Sequence, residues 1–176
     1  VKASLVLLLA FGAFSGLERF AGKAFGWRLL GYSIAAFIVP AIWAARGRRS
    51  PYPYASDILF VLPFLIDTIG NALNLYDTID WWDDANHLVN WALHTSAVGL
   101  LLRYGEWTPA TRVALAFGYA VTTAVLWEFA EFVTFVPNSP EAVTAYADTL
   151  FDLFNGMVGG LIGAVVTSRL PLLRRL

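Results

Sequence analysis

RVALAFGYAVTTAVLWEFAEFVTFV, Arg112 to Val136, carries no charged side chain between Arg112 and Glu128, then places Glu128 and Glu131 close to its far end. Pro137-Asn-Ser-Pro140 stops it. About 20 residues of helix cross a hydrocarbon core roughly 30 Å thick, so this stretch is long and apolar enough to span a membrane. A carboxylate pair one to two turns below its end is expensive in that setting and needs a reason.

The rest of the chain has the same character. Of its 176 residues, 58% are hydrophobic and 14% charged, and the mean hydropathy is +0.61. A soluble domain has about 45–50% apolar and about 25% charged residues, so water is not the main solvent here. The absence of cysteine excludes a disulfide framework and a thiolate metal site, so any metal must take oxygen or imidazole ligands.

Outward from Arg112–Val136, five further helices are expected. The first covers Ala3 to Leu17, an apolar run with no small-residue cleavage site opening onto a soluble domain. The second covers Trp27 to Ala45 and ends at Arg46-Gly-Arg-Arg-Ser-Pro-Tyr-Pro. The third spans Asp57 to Tyr76, the fourth Asp84 to Tyr104, and the last Tyr146 to Leu170. The fold class is thus all-α, a polytopic transmembrane bundle of about six helices in a single domain over 1–176. No half-helix break is evident within a crossing, and no internal repeat.

With alternating crossings, one side holds Lys2, Arg46, Arg48, Arg49, Arg103, Arg112, Arg169, Arg174 and Arg175, and the other Arg19, Lys23 and Arg28. The positive-inside rule then places both termini in the cytoplasm of a bacterial cell, with the protein in its cytoplasmic membrane. Of the acids, only Asp57 and Glu106 fall near the inner face; the others sit outside or in the outer half.

Helical spacing collects polar residues into stripes at that outer depth. The third helix carries Asp67, Asn71 and Asn74 on one face, and the fourth Asp84, His87, Asn90, Trp91 and His94. The fifth contributes Trp127, Glu128 and Glu131, the sixth Asp148, Asp152 and Asn155. Intramembrane acids usually face a bundle interior and find a partner, and this many cannot all ionise side by side without compensation. Asp84, His87, Glu128, Glu131, Asp148 and Asp152 are the expected ligands of a divalent metal ion, its identity not fixed by sequence, with Glu128 or Glu131 as general base on bound water. Asp84-x-x-His87 and Glu128-x-x-Glu131 have the spacing of ligand pairs in bundle di-metal proteins. Asp67, Asn71, His94 and Asn155 complete the polar lining. Asn71, Asn74, Asn90 and Asn155 read as hydrogen-bonding glue between helices, His94 equally as a packing histidine. Asp77, Asp80 and Asp83 read as solvated turn residues, Trp81 and Trp82 as interfacial anchors. Gly156, Gly159, Gly160 and Gly163 have the spacing of close helix packing.

Asp84-Ala-Asn-His87, Trp127-Glu128-Phe-Ala-Glu131 and Asp148-x-x-x-Asp152-x-x-Asn155-Gly156-x-x-Gly159-Gly160, taken in that order, resemble the VanZ-like membrane proteins and the related YjdF-like inner-membrane family. The resemblance covers about residues 67 to 165. It implies a small polytopic membrane protein of the cell envelope and marks where its site lies, rather than what chemistry occurs there.

Three functions follow from such a cluster. The first is a metal-dependent membrane hydrolase or transferase acting at the outer leaflet on a membrane lipid or lipid-linked envelope substrate. The second is a cation or proton transporter in which the same acids form a relay, and the third is a non-catalytic membrane subunit. Nucleic acid is not an expected partner, and the oligomeric state is left open.

Overall fold

The computed structural model describes residues 1–48, 51–134, 136–138 and 140–172. Arg49, Arg174 and Arg175 of the basic asymmetry lie outside the described residues. Eight α-helices and three short 3₁₀ turns make up the described chain, with no strand among them.

α1, Lys2–Phe14, is shorter than the Ala3–Leu17 run because Gly16 takes φ 69° just beyond it. Glycine adopts that left-handed conformation at no steric cost and ends the helix. The second crossing is broken into α2, Phe25–Ala35, and α3, Ile38–Ala45. Pro40 explains the break that the sequence did not make evident, since its ring opposes the carbonyl of Ala36 and it has no N–H to donate there. α4, Tyr54–Ala72, ends before Asn74, which adopts φ 60° and begins the single turn α5, Leu75–Thr78. Asn74 therefore does not continue the face of Asp67 and Asn71, because asparagine tolerates the left-handed turn that closes the helix. α6 spans Trp82–Leu102, α7 Pro109–Thr134 and α8 Ala145–Ser168.

Among the described residues, four stretches are by length and composition able to cross a membrane: Phe25–Ala45, Tyr54–Ala72, Pro109–Thr134 and Ala145–Ser168. α6 has 21 residues, enough length, but its polar stripe dilutes its apolarity; it packs extensively against both α8 and α4. α1 has 13 residues, only about 20 Å of helix at 1.5 Å per residue. Large apolar side chains such as Phe14, Phe129, Val133, Phe151 and Val166 stand exposed around the bundle. An apolar exterior around a polar interior is a membrane solvent's arrangement, and the fold is an all-α membrane bundle.

Small residues set the closest approach, between α6 and α8. A Cβ at Gly159 would meet the Leu88 carbonyl, one at Gly163 the Ala92 carbonyl, and one at Gly156 the Trp91 ring. Gly160 turns instead toward Ala120 of α7. These glycines do serve helix packing. Consecutive crossings run in opposite directions, giving the bundle two unlike ends. At one, Lys2 pairs with Asp57 at 2.8 Å, and buried Arg112 donates to the carbonyls of Ser168 at 2.5 Å and Leu170 at 3.0 Å, capping α8. At the other, Lys23 pairs with Asp77 at 2.7 Å, and the acids gather.

Candidate functional site

α2, α4, α6, α7 and α8 each bring polar side chains to the acidic end. The first group forms around Asp67 of α4. Its Oδ2 receives Nη1 of Arg28 at 2.5 Å and the hydroxyl of Tyr32 at 2.8 Å. Its Oδ1 receives the hydroxyl of Tyr76 at 2.8 Å and Nδ2 of Asn71 at 3.3 Å. Nη2 of Arg28 also stands 3.7 Å from Glu131. Asn86 donates to the Tyr76 oxygen at 3.0 Å, and Asn90 to Asn86 at 3.3 Å. Burial, then the Asp67 carboxylate, push the Tyr76 phenol well above its ordinary value, which keeps it a donor. Arg28 belongs to the sparse basic set of this end, and here it folds inward as counter-ion to two of the expected site acids.

The second group forms around His87 of α6, which is 8% exposed. Its Nε2 lies 3.7 Å from Asp83 and 3.7 Å from Asp152, and its Nδ1 3.8 Å from Glu128. Nδ1 has no hydrogen-bond partner. Among the described residues, two sets of donors fall within 4.8 Å of one another: Asp83, His87 and Asp152, and His87, Glu128 and Glu131. Ligand atoms bound to one ion at about 2.0–2.2 Å stand roughly 3–4 Å apart, so either set needs little movement to close on a cation.

The structure thus brings His87, Glu128, Glu131 and Asp152 together. Asp84 is exposed beside them, its Oδ1 accepting from Asn155 of α8 at 2.7 Å. Asp148 is also exposed, at the rim of the cavity described below. Asp83, read from the sequence as a solvated turn residue, lies within the first turn of α6 and faces His87. Asn155, half-buried, bridges two helices, whereas Asn71 and Asn90 bond within their own helices. His94 lies deeper, between the rings of Phe60, Phe64 and Trp91, with the Tyr119 hydroxyl 3.4 Å from its Nδ1. That is the setting of a packing histidine with one polar contact.

A cavity of about 550 Å³ connects these groups. Arg28, Asp67, His87, Glu128 and Glu131 line its polar end, and Phe60, Phe64, Trp91 and Tyr119 its depth. Its size falls within the range of small-molecule sites.

Of Arg19, Lys23 and Arg28, any of which could by sequence fold inward to pair with Glu128 or Asp152, the structure turns Arg28 inward and pairs it with Asp67 and Glu131 instead. Sequence reasoning missed Tyr32, four residues on along the same helix face, and Tyr76, Asn86 and Asp83. The spacing Asp83, His87, Asn90, His94 was an available signal, in steps of four, three and four.

Residues 2–171 match the family model described as predicted membrane protein (DUF2238). This is the YjdF-like family of the two that the motifs resemble. No curated protein and no solved structure matches the chain.

Proposed function

The chain belongs to the DUF2238 family of predicted membrane proteins, and from its site geometry we propose that it holds a divalent cation within the membrane and uses it on a lipid or lipid-linked substrate. The observation carrying this reading is His87: an imidazole more than nine-tenths buried, with carboxylates facing both ring nitrogens and one nitrogen lacking any hydrogen bond. Acids gathered around one imidazole repel one another, and a cation on Nε2 shared with Asp83 and Asp152 compensates them while leaving the Nδ1 proton directed at Glu128.

Nε2 of His87, Asp83 and Asp152 form the ligand set we favour, because Glu131 of the alternative set is engaged by Arg28. Three protein ligands leave coordination positions free for water or a substrate oxygen. Glu128 lines the cavity on the Nδ1 side of His87, 3.8 Å away, and would be the base that takes a proton from that water, as a hydrolase or transferase requires. Asp84 and Asp148 stand outside this inner set, the first holding Asn155 and the second at the rim. Orientation follows from the basic asymmetry: both termini in the cytoplasm and the cluster in the outer half of a bacterial cytoplasmic membrane.

Elemental analysis of protein purified without chelator tests the reading. A near-stoichiometric divalent ion, lost in His87→Ala, supports it; a metal-free wild type counts against it. The break at Pro40 favours a second reading, because discontinuous helices build many transporter sites. Cation or proton flux into proteoliposomes, abolished by Asp152→Asn, would favour transport over chemistry on a lipid.

A further inference from the structure

The cavity has two long walls that face each other across the membrane-spanning region. One is the α2–α3 face carrying Trp27, Gly31, Ala35 and Ile38; the other is the α7 face carrying Tyr119, Thr123, Leu126 and Ala130. Each set recurs at three- to four-residue steps, so each is a single stripe along its helix. The walls meet near the polar end, where Tyr32 stacks on Trp127 at 5.9 Å between ring centroids and Arg28 approaches Glu131. Trp27, Ile38 and Leu126 of the same walls are exposed, so the space between the walls is not sealed by protein. The cavity is therefore a lateral cleft, open between the helices at bilayer depth.

We infer that this cleft admits one hydrocarbon chain of a membrane lipid from the side, with the middle of the chain on the aromatic floor at His94 and Tyr119 and the polar head at His87. The occupant follows from where the opening lies. At that depth the surrounding medium is acyl chain, and the walls and floor are mainly apolar and aromatic while charged groups stand at one end only. A molecule matching both parts has one long apolar tail and one polar head. The proposed function supplies what the head meets; the place of the chain rests on the cleft alone.

Gly31 gives the test. It lines the cleft, and a Cβ added there would meet nothing within 4 Å, so Gly31→Phe starts its side chain in open space and is expected to obstruct the passage. Gly26→Phe is the control, since Gly26 is equally unobstructed but lines a separate shallow groove with Leu30 and Ile34. The protein is placed in nanodiscs of phosphatidylethanolamine and phosphatidylglycerol containing a trace of phosphatidylglycerol with a diazirine midway along one chain. It is then irradiated and mapped by peptide mass spectrometry. Label on His94, Tyr119 or Thr123, lost in Gly31→Phe and reduced in Gly31→Leu but kept in Gly26→Phe, is the expected result. Label confined to outward positions such as Phe129, or deep label indifferent to both Gly31 variants, would overturn the inference. Deep labelling in a protein shown to hold no metal would still support the cleft while removing the proposed cation.

Discussion

Nη1 of Arg28 on α2 lies 2.5 Å from Oδ2 of Asp67 on α4, with both side chains largely withdrawn from solvent. This pair ties the broken second crossing to the rest of the bundle and supplies positive charge to the Asp67 and Glu131 side of the cluster. Removing one member of such a buried pair is expected to cost about 3–5 kcal/mol, because the other charge is left uncompensated. Arg28→Met should therefore unfold at markedly lower temperature in detergent. Arg28→Met combined with Asp67→Asn should lose less than the two single losses added together, which a double-mutant cycle reads directly.

Asp83 and Asp84 are adjacent in sequence and separate in role. Asp83 faces His87, whereas Asp84 holds Asn155. Asp83→Asn is expected to weaken binding of a divalent cation by about tenfold or more, the scale on which even supporting groups of metal sites act. Asp84→Asn should leave the affinity within about twofold. Calorimetric titration of the purified protein compares them, and equal effects would argue against the ligand set proposed.

The α6–α8 contact predicts opposite outcomes for two glycines. Gly159→Ala sets a Cβ against the Leu88 carbonyl, and overpacking of this kind costs about 1–3 kcal/mol. Gly118→Ala on α7 meets open space and should be neutral or stabilising by up to about 1 kcal/mol, the difference in helix propensity. Detergent unfolding midpoints of the two variants should therefore move apart.

Cytoplasmic termini are expected from the concentration of basic residues at the end of the bundle that holds Lys2, Arg103 and Arg112. A green fluorescent protein fused at the C-terminus should fluoresce, and alkaline phosphatase at the same point should be inactive. An active phosphatase fusion would reverse the orientation.

Much of the bundle was legible because hydrocarbon thickness imposes a length on every crossing, and Arg112–Val136 differs from α7 by only two or three residues at either end. Pro40 was visible too, but whether a proline kinks or breaks a crossing depends on its neighbours, and the consequence appeared only in the fold. The acids of α7 and α8 were readable from their cost in an apolar setting. The choice between Asp83 and Asp84 was not, because positions three and four residues before His87 both fall on its side of a helix. Packing against α8 sets the rotation that decides. Arg28 was legible only as one of three bases that could turn inward: a cation at a helix start reads equally as a solvated end or an inward counter-ion, and the position of Asp67 selects Arg28.

Thermal unfolding in detergent, with and without a divalent cation after exhaustive chelation, tests the central claim most directly. Binding to the folded state alone raises stability by an amount set by concentration over dissociation constant, about 2.7 kcal/mol at a hundredfold excess. Chelated wild-type protein should unfold at a lower temperature and recover when manganese, zinc or magnesium is returned, while His87→Ala and Asp152→Ala should show no such response. An unfolding temperature indifferent to chelation and to every added cation, in a wild type that purifies without metal, would contradict the cation site and leave Arg28 and shared protons to hold the cluster together.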